Sequence, residues 1–278
     1  MKNKVDVCVN VYGKPWQTLC TLKSLIKHSG DHIDRIYIIK EKQQPYNDSI
    51  DWIFNYFDNL VIYEPNYYVF LHTNIDYNNV DYRLGVRYQY AFENSDKKHL
   101  FITHNDVLYT GDIVGEMLEN IGDSVGIGEI GQCWNCPAKK NNLCSGDKFY
   151  EWNPTYEEVL SLLPHVRTQK SMIDKENPKP LPECRLNEWC CLINREISNS
   201  EVFPNGDTPP FGSVGLDVGT IWFKSMVKKG YTFIDYRKNF THSYWSDLGN
   251  GYQTQLNSDK YKISEENAKQ YYLINYNE

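Results

Sequence analysis

The order of residues predicts an α/β fold with a mostly parallel central sheet flanked by helices, and three features predict it. Val5-Asp6-Val7-Cys8-Val9-Asn10-Val11 is β-branched and nearly continuous in apolar character, as a strand buried in a parallel sheet requires. It stops at Tyr12-Gly13, and Pro15 opens a helical stretch in which Leu19, Leu22, Leu25 and Ile26 recur at three- and four-residue spacing until Gly30. The strand-helix alternation then repeats along the chain, the pattern of parallel strands joined by helical crossovers. At 278 residues with 41% hydrophobic content, residues 1–278 are expected to form one large domain.

The remaining elements follow in order. Arg35 to Ile39 reads as a second strand ending at Glu41, Ile50 to Phe57 as a short helix, and Leu60 to Tyr63 as a third strand. Beyond a polar loop around Asn74 to Asn79, a helix is expected over Val80 to Glu93. His99-Leu100-Phe101-Ile102-Thr103 is then another buried strand, ending in His104-Asn105-Asp106. Thr110 is the expected cap of a helix over Gly111 to Asn120, and Val125 to Ile130 reads as a strand. Regular patterning stops in a cysteine-bearing, proline-containing insertion, residues 131–187, with one helix over Tyr156 to Leu163. It returns with a strand over Trp189 to Asn194, a helix over Asp217 to Lys229 closed by Gly230, and a strand over Tyr231 to Tyr236. Residues 246–278 form a tail whose terminal helix is expected from Ser264, with Glu265 and Glu266 in its first turn.

Composition excludes several classes of function. The net charge is −7, and no basic run exceeds a pair, which argues against a nucleic-acid partner because backbone affinity needs clustered Lys and Arg. Apolar stretches fall far short of the roughly 20 residues of a membrane-spanning helix. The N-terminal segment lacks signal-peptide features, so a soluble, cytoplasmic protein is expected. Aromatic residues reach 14%, with 22 tyrosines, which fits either a carbohydrate-binding surface or core packing.

In an open parallel sheet, ligands collect at the carboxyl ends of the strands. The polar residues there are Asn10 and Tyr12, Glu41, His104-Asn105-Asp106, and Thr241-His242. No glycine-rich dinucleotide or P-loop motif follows the first strand, so something else must hold any phosphates. A divalent cation meets that need with one or two carboxylates. Asp106 is placed to bind Mg²⁺ or Mn²⁺, and His242 as a second ligand tilts the preference toward Mn²⁺. The alternative is a polar strand-to-loop junction that only caps the next helix.

Val5 to Pro15 with Leu19 to Leu25 behind it resembles the opening of family 2-type glycosyltransferases of the GT-A fold. Phe101-Ile102-Thr103-His104-Asn105-Asp106-Val107-Leu108 resembles their D-x-D segment, with His104 in place of the first acid. Glu188 to Arg195, Leu216-Asp217-Val218-Gly219 and Lys228-Lys229-Gly230-Tyr231 are similar to the acceptor half. The resemblance implies transfer of a sugar from a nucleotide-sugar donor to a saccharide or lipid-linked acceptor, with inversion and a divalent cation. It also implies a role in surface polysaccharide assembly, with peripheral membrane association through the acceptor.

Carried over by this resemblance, Asn10, Tyr12 and Glu41 hold the nucleotide, Asp106 touches the cation and His242 completes its coordination. His104, with less ligand charge than the usual acid, weakens the cation site or contacts the donor ribose. Asp217 is the expected base for the acceptor hydroxyl, although it lies thirteen residues before Gly230 and follows Leu216 where the family carries a Glu. Its alternative role is a helix N-cap. Glu188 is a rival base beside Trp189, where an acceptor sugar would stack. Arg83 and Arg87 are secondary candidates to pair with donor phosphate or to hold Asp106. Two other classes fit less of the pattern. A nucleotidyltransferase needs a basic, glycine-rich loop after the first strand; a non-catalytic sugar- or nucleotide-binding scaffold fits the altered His104-Asn105-Asp106.

The cysteines are separate chemistry. Cys133-x-x-Cys136 is followed by Cys144 after seven intervening residues and Cys184 after a further 39. Four thiols around one irregular insertion suit a tetrahedral structural Zn²⁺, with reduced thiols or a Cys133/Cys136 redox pair as the alternatives. Cys190 and Cys191 lie in a predicted strand, where core burial is expected for at least one.

Overall fold

A computed structural model describes residues 4–67, 76–131, 136–162, 169–246 and 251–276. Strand β1 (Val5–Val11) leads into helix α1 (Pro15–Ser29), then β2 (Ile33–Lys40) and β3 (Leu60–Tyr63). Next come α2 (Val80–Leu84), α3 (Gln89–Asn94), β4 (His99–Thr103), β5 (Val107–Tyr109), α4 (Ile113–Asn120) and β6 (Gly126–Ile130). The insertion carries α5 (Pro137–Lys140) and α6 (Tyr156–Leu162). The chain closes with β7 (Leu186–Asn194), α7 (Arg195–Glu201), α8 (Thr220–Lys228), β8 (Phe233–Asp235), β9 (Phe240–His242), α9 (Gly251–Leu256) and α10 (Ser258–Asn275).

The main sheet has the order β3-β2-β1-β4-β7-β6-β8, parallel throughout except for β7, which runs antiparallel to both of its neighbours. β5 and β9 form a separate antiparallel pair. Period-two alternation sends Val5, Val7, Val9 and Val11 into a core with α1, α4 and α10. Cys8 faces the opposite core, among Tyr88, Phe92, Trp222 and Phe223. Asp6, also buried in β1, is tolerated because Arg35 Nη2 at 2.8 Å and Ser95 Oγ at 2.7 Å bond its Oδ2. Cys190 and Cys191 are both fully buried, because β7 is covered on both faces.

Several boundaries differ from expectation for local reasons. The helix expected over Val80 to Glu93 is two short helices, broken where Tyr88 takes a φ of 67°. Asp112, not Thr110, caps α4, accepting from the Gly115 amide at 3.1 Å. The insertion ends before 187, because β7 begins at Leu186. The helix expected from Asp217 begins at Thr220, with Gly219 at its N-cap in the left-handed region at φ 80°. Asp217 therefore lies in the preceding turn and is not the cap. The terminal helix starts at Ser258, so Glu265 and Glu266 lie in its middle, not its first turn. Among the described residues no helix is long and apolar enough to cross a membrane.

Candidate functional site

The chain leaves β1 toward β2 on one side and later returns to β4 on the other, so the carboxyl ends of β1 and β4 frame the crevice where open sheets bind ligands. Gly13, at φ 62°, and Lys14, at φ 58°, turn the chain sharply out of β1. Asn105 pins this turn by donating to the Gly13 carbonyl at 3.0 Å and to Thr18 Oγ1 at 3.2 Å. The turn delivers the buried Lys14 ammonium to Asp106 Oδ2 at 2.7 Å.

The other oxygen of Asp106, Oδ1, is buried and accepts no hydrogen bond. It faces His242 Nε2 at 3.4 Å and His104 Nδ1 at 3.9 Å, and those two nitrogens are 3.2 Å apart. One ligand atom from each of the three residues lies within 4.8 Å of the others. β9 carries His242 into place by pairing it with Val107, and the ring of Trp189 stacks on it at 4.7 Å and 11°. On the far side of His104, Nε2 meets Glu188 Oε1 at 3.3 Å. A carboxylate on one ring nitrogen directs the lone pair of the other toward a cation, as in carboxylate–histidine–metal arrangements. The orphaned Asp106 oxygen and two converging imidazoles therefore fit a divalent ion, and the two-nitrogen, one-oxygen set favours Mn²⁺ over Mg²⁺.

The protonation states agree with this fit. Burial raises the Asp106 carboxyl, but Lys14, then His242 and His104, outweigh it and hold it well below the usual carboxylate range. Burial lowers His104 against the pull of Glu188, so its imidazole is neutral and able to ligate. Glu188 is no surface glutamate: it is buried, and Arg185 and His104 overcome its burial and pull it down to about 2.

Arg185 ties this group to Asp217. Its Nη1 lies 2.8 Å from Glu188 Oε2, 3.2 Å from Asp217 Oδ1 and 3.0 Å from the Val218 carbonyl. The Asp217 side chain is 35% exposed, whereas Arg185 beneath it is 5% exposed. The ring of Trp189, beside which an acceptor sugar is expected, stacks on His242 and has the Arg185 guanidinium 5.4 Å from its centroid. Beside the crevice, Asn10 Nδ2 donates to Glu41 Oε1 at 2.9 Å, and Arg87 Nε lies 3.9 Å from the same oxygen. Burial raises the Glu41 carboxyl, opposed by Arg87 and Asn10. Tyr12 lies in the bend just past the end of the same strand.

The structure thus brings His104, Asp106, His242, Glu188 and Asp217 into one network, and Asn10, Glu41 and Arg87 into a neighbouring one. Arg83 joins neither and does not hold Asp106. It is buried with Nε 2.7 Å from Glu93 Oε1 and Nη1 on the Tyr77 carbonyl at 2.8 Å. Lys14 and Arg185 carry no signal in the sequence beyond their places, one in the turn after β1 and the other three residues before Glu188. Cys136, Cys144 and Cys184 line one cavity, while Cys133 lies outside the described residues.

No protein-family model and no curated protein matches the chain. Solved structures do. A mannosyltransferase from Pyrobaculum calidifontis, in complex with GDP-Man and Mn²⁺, aligns with a TM-score of 0.53 at 11% identity over 86% of this chain. The chain spans 56% of that protein's length. Mouse xyloside xylosyltransferase 1 in its apo form matches at a TM-score of 0.46 and 10% identity, over 84% of this chain and 85% of the other. Glucosyl-3-phosphoglycerate synthase from Mycobacterium tuberculosis, in complex with Mn²⁺, UDP and phosphoglyceric acid, matches at 0.47 and 7% identity, over 84% and 68%. The mixed sheet flanked by helices is that of GT-A glycosyltransferases.

Proposed function

We propose that this chain is a cation-dependent glycosyltransferase that moves a sugar from a nucleotide-sugar donor to an acceptor hydroxyl with inversion. The observation that carries the reading is the convergence of His104, Asp106 and His242 at the switch point of a GT-A sheet, with an unbonded Asp106 oxygen aimed among them. The proposed donor is a nucleoside diphosphate sugar, in keeping with the GDP-Man and Mn²⁺ in the Pyrobaculum protein.

In this reading His104, Asp106 and His242 would hold the cation, which supplies positive charge to the departing diphosphate. Asn10, Tyr12, Glu41 and Arg87 line the nucleotide side. Asp217 accepts the proton of the acceptor hydroxyl, whose oxygen forms the new bond to the anomeric carbon as the sugar–phosphate bond breaks. Its partial exposure lets it meet an acceptor, while Arg185 fixes its direction. Glu188 is the poorer base. It is buried, strongly ionised and already engaged with Arg185 and His104, so it acts as their anchor.

A thermal-shift panel of nucleotide sugars and nucleoside diphosphates, each with and without Mn²⁺, tests the reading. A ligand at a hundred times its Kd adds about 2.7 kcal/mol to stability. A shift that requires Mn²⁺ and one type of base is expected; no shift from any donor would contradict the reading.

A further inference from the structure

The proposed donor carries a base, and Glu41 has the chemistry to select it. Asn10 follows Cys8 by two residues and Glu41 follows Ile39 by two, so both leave the sheet on the face where Cys8 and Ile39 pack with Tyr88 and Phe92. Glu41 is held by both of its backbone groups. Its amide donates to the Val11 carbonyl at 3.0 Å, and its carbonyl accepts from Gln44 Nε2 at 2.5 Å. Asn10 Nδ2 then orients the carboxylate by donating to Oε1 at 2.9 Å, and Arg87 Nε at 3.9 Å balances its charge.

The Glu41 side chain is only 10% exposed, yet its Oε2 accepts no hydrogen bond from any described residue. An ionised carboxylate is an acceptor-only group with about four lone-pair sites, of which Asn10 fills one. A buried acceptor with capacity to spare is costly until a donor meets it.

Strand order says which part of a nucleotide that donor belongs to. β1 lies between β4 and β2, and at about 4.8 Å per strand the end of β2 stands about 10 Å from that of β4. Diphosphate, ribose and base succeed one another along a nucleotide in the same sense. With the diphosphate at the cation position past β4, the base falls at Glu41, just past β2. Taking the proposed donor site as given, we infer that Glu41 selects guanine, accepting from its N1–H and 2-amino group together.

Among the common bases, guanine alone has two adjacent N–H donors on one edge, in the parallel spacing that a carboxylate accepts bidentately. Uracil offers one N–H between two carbonyl oxygens, which a carboxylate repels. Adenine and cytosine each offer an amine beside an acceptor nitrogen. A site built to receive hydrogen bonds discriminates strongly against a ligand that lacks the donors.

Calorimetric titration of the full chain with GDP, IDP and UDP, each with Mn²⁺, tests the inference. The base of IDP differs from that of GDP only in lacking the 2-amino group. GDP should bind about tenfold or more tightly than either of the others. Glu41→Gln, which keeps the side-chain shape, should lose about tenfold in GDP affinity while UDP changes by less than about twofold. Should that variant fail to fold, the comparison of GDP with IDP on the wild type still decides. IDP bound as tightly as GDP, UDP bound at least as tightly, or a full GDP preference in folded Glu41→Gln overturns the inference. Equal Mn²⁺-dependent affinity for all three nucleotides would place Glu41 at the ribose and overturn the base assignment while leaving the proposed transfer standing; no binding of any nucleotide removes both.

Discussion

Asp106 gives one oxygen to Lys14 and turns the other toward two imidazoles, so a fixed ammonium already balances part of the charge a divalent cation would meet. Breaking a buried ion pair by removing one partner costs about 3–5 kcal/mol. Lys14→Met should therefore lower Tm in metal-free buffer, and Mn²⁺ should restore most of the loss while shifting the wild type less. A Lys14→Met protein indifferent to Mn²⁺ in calorimetry would count against a cation at Asp106. Asp217→Asn keeps the side-chain shape but removes the base, and loss of a general base lowers turnover by about 10²–10⁴-fold. Donor binding and Tm should stay near wild type, and an active variant in a product assay would remove Asp217 from the mechanism. Asp106 and His242 were legible in the sequence because they sit at or just past strands, where an open sheet gathers its ligands. Lys14 was not, since a lysine in a turn looks solvated until the loop after β4 folds over it.

At the scale of elements, α10 serves the N-terminus of α1. Glu265 accepts hydrogen bonds from the Trp16 amide at 2.8 Å and from Gln17 Nε2 at 2.9 Å, satisfying a helix end that no local side chain caps. Burial raises its carboxyl to about 7, against the bonds from Trp16 and Gln17 that lower it. A folded pKa above the unfolded one means that the folded state holds the proton longer. The stability Glu265 contributes is thus complete below about pH 4.5 and lost as pH rises through about 7. Two and a half units correspond to about 3 kcal/mol. Denaturant unfolding of the wild type and Glu265→Gln should show their difference moving in favour of Gln by about that amount between pH 4.5 and 8; a pH-independent difference would refute it. The same service explains why the start of α10 was illegible. Its buried stripe, Tyr261, Ser264, Glu265, Ala268 and Tyr272, includes two polar residues, so the apolar period is broken where the helix is most tightly packed. β5 and β9, three residues each, are too short to show any period.

At the scale of the molecule, the β-α order exposed the parallel half of the sheet, because strands buried on both faces leave continuous apolar runs. The direction of β7 was beyond reach, since a buried strand carries the same apolar run whichever way it points. That reversal matters, because it brings Glu188 and Trp189 alongside the end of β4, with the His104 amide bonded to the Trp189 carbonyl at 3.1 Å. Strand ends from both halves of the chain therefore meet at the proposed cation position. The most direct test is calorimetric titration of GDP and UDP into the wild type and Asp106→Asn, with Mn²⁺ and with a chelator. Binding of one nucleotide that requires Mn²⁺ and weakens by about tenfold or more in the variant is the predicted result. Equal affinity in the presence of the chelator, or in Asp106→Asn, would contradict it.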